Sequence, residues 1–135
     1  MMRDSLRAMT VGQLVDRFAE IGIAQEKAIG DLTVQLWDSN GKNEDTSEID
    51  RLFGDMRAID QELRKRGRDA RLALTRLFND RNIQVRLSAA KLTLGVAPVE
   101  ARQVIEQISA SKIYPQAGDA GMTLVNLDEG VFKPD

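Results

Sequence analysis

From Ile49 to Leu63 the apolar side chains fall at Ile49, Leu52, Phe53, Met56, Ile59 and Leu63. That spacing gathers all of them on one stripe of an α-helix and would scatter them over both faces of a strand. Whatever this chain folds into must offer an apolar surface to that stripe. The flanks agree with it. Glu44, Asp45, Glu48 and Asp50 lie in or before the first turns, and Arg64, Lys65 and Arg66 lie in the last, as the helix dipole favours. Gly67 follows as the stop.

The same period continues on both sides. Thr10 and Gln13 make a capping-box pair, after which Val11, Leu14, Val15, Phe18, Ile21, Ala28, Leu32 and Leu36 keep helical spacing. This is one long helix, or two broken near Gly22 or Gly30, each of which costs about 1 kcal/mol relative to alanine in a helix interior. The stretch Asp38 to Asn43 reads as a turn. A shorter helix is expected from Arg68 to Phe78, then a turn at 79–82. The next, from Ile83 to Leu94, carries two apolar stripes, Val85-Ala89-Leu92 and Leu87-Ala90-Leu94, and only Gln84, Ser88 and Lys91 as a polar strip. A helix apolar on most sides is packed on most sides, which places it at the centre of the domain. Gly95 ends it, Pro98 suits the first position of a fifth helix, and Pro115 opens a sixth whose face is Ala117, Ala120, Gly121, Leu124 and Leu127. Phe132 is expected to fold back onto the body.

Composition narrows what remains. The chain has 135 residues, no Cys and no His, which removes disulfides, thiolate nucleophiles, imidazole bases and the usual zinc ligands. No cofactor, metal site or catalytic residue is therefore assigned. No run approaches the roughly 20 apolar residues of a membrane span, and the N-terminus lacks a signal-like apolar region, so a cytoplasmic protein is expected. The fold class is all-α: about six antiparallel helices stacked in pairs, forming a single domain over 10–130 between tails at 1–9 and 131–135.

The stretch from Asp80 to Leu92, DRNIQVRLSAAKL, resembles the inner helix of a HEAT repeat, with Val85 inward, Ala89 and Ala90 allowing close stacking, and Arg86 reaching into the adjoining turn. The segments RLFGDMRAIDQELRKRG (51–67), VRLSAAKLTLGVAPVEAR (85–102) and PQAGDAGMTLVNLDEGVFKP (115–134) resemble a bacterial domain-of-unknown-function family, number two thousand and nineteen of that series. This resemblance implies a short HEAT/armadillo-like α-superhelix and transfers no functional residues.

The net charge of −2 hides a strong asymmetry. Residues 1–63 sum to −6, residues 64–91 to +7 and residues 92–135 to −3. The basic middle, Arg64, Lys65, Arg66, Arg68, Arg71, Arg76, Arg81, Arg86 and Lys91, is either a patch for phosphates or an acidic protein, or a set of internal partners. Gln84, Ser88 and Lys91 are either a groove floor or a solvated stripe. Gly118-Asp119-Ala120-Gly121 lacks the lysine and strand of a phosphate loop and reads as close helix packing. Asp55 and Glu62 read as solvated ions, Trp37 as closing the end of the first helix, and Tyr114 as packing on Pro115. The reading favoured is a non-enzymatic adaptor or regulatory module, in one form an immunity-type protein, that binds an unidentified protein partner. Its candidate binding residues are Arg64, Lys65, Arg68, Arg71, Gln84, Ser88 and Lys91. The competing reading is nucleic-acid binding through residues 64–91.

Overall fold

A computed structural model describes residues 2–38 and 45–135, so the turn expected at 38–43 lies almost wholly outside the described residues. The described chain is all-helical. Its helices are α1 (Met2–Ala8), α2 (Val11–Asp38), α3 (Ser47–Arg66), α4 (Arg68–Leu72), α5 (Ile83–Thr93), α6 (Pro98–Ala110) and α7 (Gln116–Asp128), with a 3₁₀ segment at Ala73–Asn79 between α4 and α5.

Local signals place the ends of these helices. The Thr10 amide donates to Gln13 Oε1 at 2.8 Å, and the Gln13 amide donates to Thr10 Oγ1 at 3.1 Å, the reciprocal capping box that starts α2. Gly67, at φ +106°, stops α3 in a conformation that any Cβ would strain. Asn82 Oδ1 accepts the Val85 amide at 3.0 Å and caps α5. Pro98 opens α6.

One open alternative about the elements is decided, and two expectations change. The helix beginning at Val11 does not break at Gly22 or Gly30 but runs unbroken to Asp38. The helix expected from Arg68 to Phe78 is α for five residues and then tightens into 3₁₀ turns. Residues 2–8, placed in a tail by the sequence, wind into α1 and bury Leu6. Seven residues cannot hold a helix by themselves; this one is held by Arg66. Its Nη2 donates to the Leu6 carbonyl at 2.8 Å and its Nη1 to the Met9 carbonyl at 2.6 Å, while Nε pairs with Glu62 at 2.9 Å. The guanidinium thereby satisfies carbonyls that a helix C-terminus leaves without partners.

The two stripes of α5 face two apolar clusters. Val85 and Ala89, with Leu92 against them, belong to a core formed with α2, α3 and the α4/3₁₀ segment and centred on Leu14, Phe18, Ile59 and Leu63. Ile83, Leu87, Ala90 and Leu94 belong to a second core with Ala101, Ile105 and Ile108 of α6 and Ala120 of α7. Thus α5 is central, as its two stripes require. Where α5 crosses α2, Gly22 lies so close to Val85 that a Cβ on the glycine would stand 2.6 Å from Val85 Cγ2.

The polar side chains of α5 do not form a solvated stripe. Gln84 is 5% exposed and Ser88 7%. Gln84 Nε2 donates to Gln25 Oε1 of α2 at 3.5 Å and to Ser88 Oγ at 3.3 Å, and Gln84 Oε1 accepts from Gln116 Nε2 of α7 at 3.1 Å. A buried amide pays for its desolvation only when its groups find partners, and here those partners tie the two cores together. The expectation for Trp37 also changes: it is 79% exposed and does not close its helix end. Glu62 is a buried partner of Arg66, not a solvated ion.

Candidate functional site

Between α3 and α5 the surface opens into a cleft of about 490 Å³, a size within the usual range of ligand pockets. The helical stripe that builds the core also builds one wall of it. Met56 faces inward, whereas Phe53, assigned to the core by spacing, stands at the rim and is 41% exposed. Arg57, Asp60, Gln61 and Arg64 continue that wall along α3. Gln84, Leu87, Ser88, Lys91 and Leu92 of α5 form the opposite side, and Asp119 of α7 and Asp135 close the ends.

Three ion pairs border the cleft, two of them sharing Arg64. Arg64 Nε donates to Asp60 Oδ2 at 2.9 Å and Arg64 Nη1 to Asp135 Oδ1 at 3.0 Å. Lys91 Nζ pairs with Asp119 Oδ1 at 2.9 Å. Arg57 has no ion-pair or hydrogen-bond partner among the described residues. Asp60 Oδ2 is held by Arg64, but its buried Oδ1 has no hydrogen-bond partner. Burial pushes the Asp60 carboxyl above its ordinary 3.8, outweighing the pull of Arg64. The exposed Asp135 carboxyl is held below 3.8, first by its hydrogen bond from Arg64 and then by that cation's charge.

These two carboxyls therefore make opposite contributions to stability. The folded state holds the Asp60 proton more tightly than the unfolded chain does, so this group's contribution falls as pH rises from 3.8 through its raised value. Asp135 contributes above 3.8 and loses that contribution as pH falls through its lowered value. Carboxyl-carbon NMR titration is expected to give a midpoint above 3.8 for Asp60 and below 3.8 for Asp135. In Arg64→Gln, Asp60 moves further up and Asp135 returns towards 3.8. An Asp60 midpoint at or below the ordinary value would contradict the burial argument.

Of the seven candidate residues, Arg64, Gln84, Ser88 and Lys91 meet in the cleft. The other three do not line it. Arg71 lies behind the Arg64 end, 8% exposed, with Nη1 donating to the Asp135 carbonyl at 2.9 Å and Nη2 to the Leu92 carbonyl at 3.3 Å. Arg68 donates to the Val96 carbonyl at 3.1 Å. Lys65 borders a smaller recess beside Leu6 and Arg7.

The basic middle is thus largely engaged within the fold, and mostly by neutral acceptors. Arg66, Arg68, Arg71 and Arg86 donate to backbone carbonyls, while Arg64, Arg66 and Lys91 pair with acids. Lys65, Arg76 and Arg81 have no partner among the described residues. Sequence reasoning missed Phe53, Arg57, Asp60, Asp119 and Asp135. The Asp60–Arg64 spacing of four residues was a usable signal. Asp119 and Asp135 had none, because they reach their partners across 28 and 71 positions.

Gly118 to Gly121 lie within α7, where Ala120 is fully buried and a Cβ on Gly121 would stand 3.4 Å from Ser109 Oγ of α6. This is helix packing, with no loop to hold a phosphate. No helix among the described residues is long and apolar enough to cross a membrane.

No curated protein matches the chain. A solved structure does: the crystal structure of the protein RPA1889 from Rhodopseudomonas palustris CGA009 is similar to it at 47% sequence identity and a TM-score of 0.82, over 94% of this chain and 95% of that one. The family model described as Domain of unknown function (DUF2019) matches residues 12–128. With nearly the whole helical body matched, the chain belongs to the DUF2019 family.

Proposed function

We propose that this protein is a non-enzymatic cytoplasmic binding module, a short HEAT/armadillo-like α-superhelix that holds a segment of a protein partner in the cleft between α3 and α5. The observation that carries this reading is the cleft itself. One opening collects an accessible aromatic, Phe53, the apolar side chains Met56, Leu87 and Leu92, and three ion pairs. An aromatic beside apolar surface with charged groups around it is the usual composition of a binding hot spot. Nucleic-acid binding is the weaker reading, because most of the guanidinium groups a phosphate surface would need already donate to carbonyls and carboxylates within the fold.

A photo-crosslinking residue placed at Phe53, with Val99 of α6 as an exposed control outside the cleft, is expected to trap one discrete protein adduct in the source cells from Phe53 and none from Val99. Equal labelling from both positions, or none from Phe53, would count against the cleft. Titrations with DNA and RNA at about 50 and 200 mM salt are expected to show no tight binding. An affinity falling steeply between those concentrations would favour the phosphate reading.

A further inference from the structure

Resting on the reading of the cleft as a site for a polypeptide segment, we propose that its arginine end receives an acidic, extended segment of the partner. Residues 131–135 of this chain occupy that end as an internal competitor.

The seat is visible in how the tail lies. Beyond Gly130 the chain has no helix or strand, and the Phe132 amide donates to the Asn126 carbonyl at 3.0 Å. The tail then reaches the junction of α3, α4 and α5. There the Asp135 backbone carbonyl accepts from Arg71 Nη1 at 2.9 Å and its carboxylate from Arg64 Nη1 at 3.0 Å. Gly95 leaves the room: a Cβ there would overlap the Asp135 carbonyl carbon, and the three nearest atoms it would meet all belong to the Asp135 backbone.

Any extended segment with a carboxylate presents the same pair of acceptors, so the seat selects acidity and extended backbone over a particular sequence. The tail itself is lightly held. The Asp135 side chain is 87% exposed, and an ion pair so exposed contributes little. The arginines, by contrast, need an occupant, since Arg71 is buried and its Nε already lacks a partner. Exchange of one segment for another therefore costs less than vacating the seat. Without Asp135 the cleft presents Arg57, Arg64 and Lys91 against Asp60 and Asp119, a balance that attracts a negative segment.

The test uses the full chain and a fluorescein-labelled, C-amidated peptide with the sequence of residues 130–135, read by anisotropy. Asp135→Lys sets a cation against Arg64 and leaves the clearance at Gly95 open, so it should release the tail and bind the peptide roughly fivefold more tightly than the parent, the size of an exposed ion pair. A peptide with asparagine in place of the aspartate should lose roughly fivefold in binding to Asp135→Lys. Gly95→Leu, whose added side chain fills the space that the Asp135 backbone takes, should bind the peptide no more tightly than the parent. Amide relaxation of residues 131–135 should show the tail ordered in the parent and released in Asp135→Lys. Equal peptide binding by parent and Asp135→Lys, undiminished binding of the asparagine peptide, a tail as ordered in Asp135→Lys as in the parent, or a Gly95→Leu protein that is folded by circular dichroism and binds the peptide as tightly as Asp135→Lys would each overturn the proposal. A Phe53 adduct without peptide binding overturns this inference and leaves the partner reading standing. Peptide binding without an adduct does the reverse.

Discussion

Phe18→Ala is expected to lower the unfolding free energy by about 3–5 kcal/mol, the range for removing a buried phenylalanine from a packed core. Phe18 is 0% exposed and lies among Leu14, Val15, Ile59, Leu63 and Val85, at the meeting of α2, α3 and α5. With 4% aromatic residues in the chain, its neighbours are mostly aliphatic, and Phe78, which also packs against this core, is shared with the second one. Natural domains hold about 5–15 kcal/mol in total, so this single change removes a large share. Urea denaturation should show it as a lower midpoint at an unchanged slope. Phe53→Ala serves as the contrast. Its ring lies at the cleft rim and is 41% exposed, so it should cost far less stability while weakening partner capture. A loss at Phe53 equal to that at Phe18 would mean that the cleft wall is core.

The second large effect is a difference of sign between two chemically identical substitutions on one helix. Alanine in place of an interior helical glycine gains about 1 kcal/mol from backbone propensity. At Gly30 nothing lies within 4 Å of the added Cβ, so Gly30→Ala is expected to stabilise by about that amount. At Gly22 the Cβ would stand 2.6 Å from Val85 Cγ2 and 3.2 Å from Val85 Cα. A β-branched side chain and a helix backbone cannot swing aside, so α2 and α5 must separate. Overpacking of this kind costs about 1–3 kcal/mol, which exceeds the propensity gain and makes Gly22→Ala a net loss of up to about 2 kcal/mol. Thermal unfolding of the two variants side by side is the check, and stabilisation by Gly22→Ala would refute the close crossing of α2 and α5.

Gly22 and Gly30 also show where the sequence stops being informative. As letters both are helix weakeners, and they left one continuous helix and two broken ones as open alternatives. In the fold neither interrupts α2; one is a contact point and the other is open surface. Gly95 makes the same point. It reads as a helix stop and does follow the end of α5, which runs to Thr93 with Leu94 as its cap, but it also provides clearance for a backbone forty residues later in the chain. A glycine records that a side chain is absent, and only the neighbour it admits says why.

Elements with a long apolar period were legible because periodicity is a local property. The stripe from Ile49 to Leu63 and the double stripe of α5 both ended where their spacing put them, apart from Phe53 at the edge. Helix α1 was not legible: Leu6 is the one side chain among its described ones that is buried, and its hold on the body comes from Arg66 across about 60 positions. The cleft was half legible for the same reason. Arg64, Gln84, Ser88 and Lys91 were singled out from charge and from their place on a central helix. What kind of surface they make depended on Asp60, Asp119 and Asp135, whose partnerships no spacing announces, apart from the four-residue step between Asp60 and Arg64.

The sequence by itself determined the all-α class, the starts of the principal helices, the centrality of α5 and the concentration of positive charge between residues 64 and 91. All of these follow from patterns a few residues long. Tertiary structure decided what that charge is used for. A guanidinium carries five donors on a long, flexible stem, and which acceptors it finds depends on the elements packed within its reach. Here most of them are carbonyls at helix ends and turns, while Arg64 and Lys91 meet acids in the cleft.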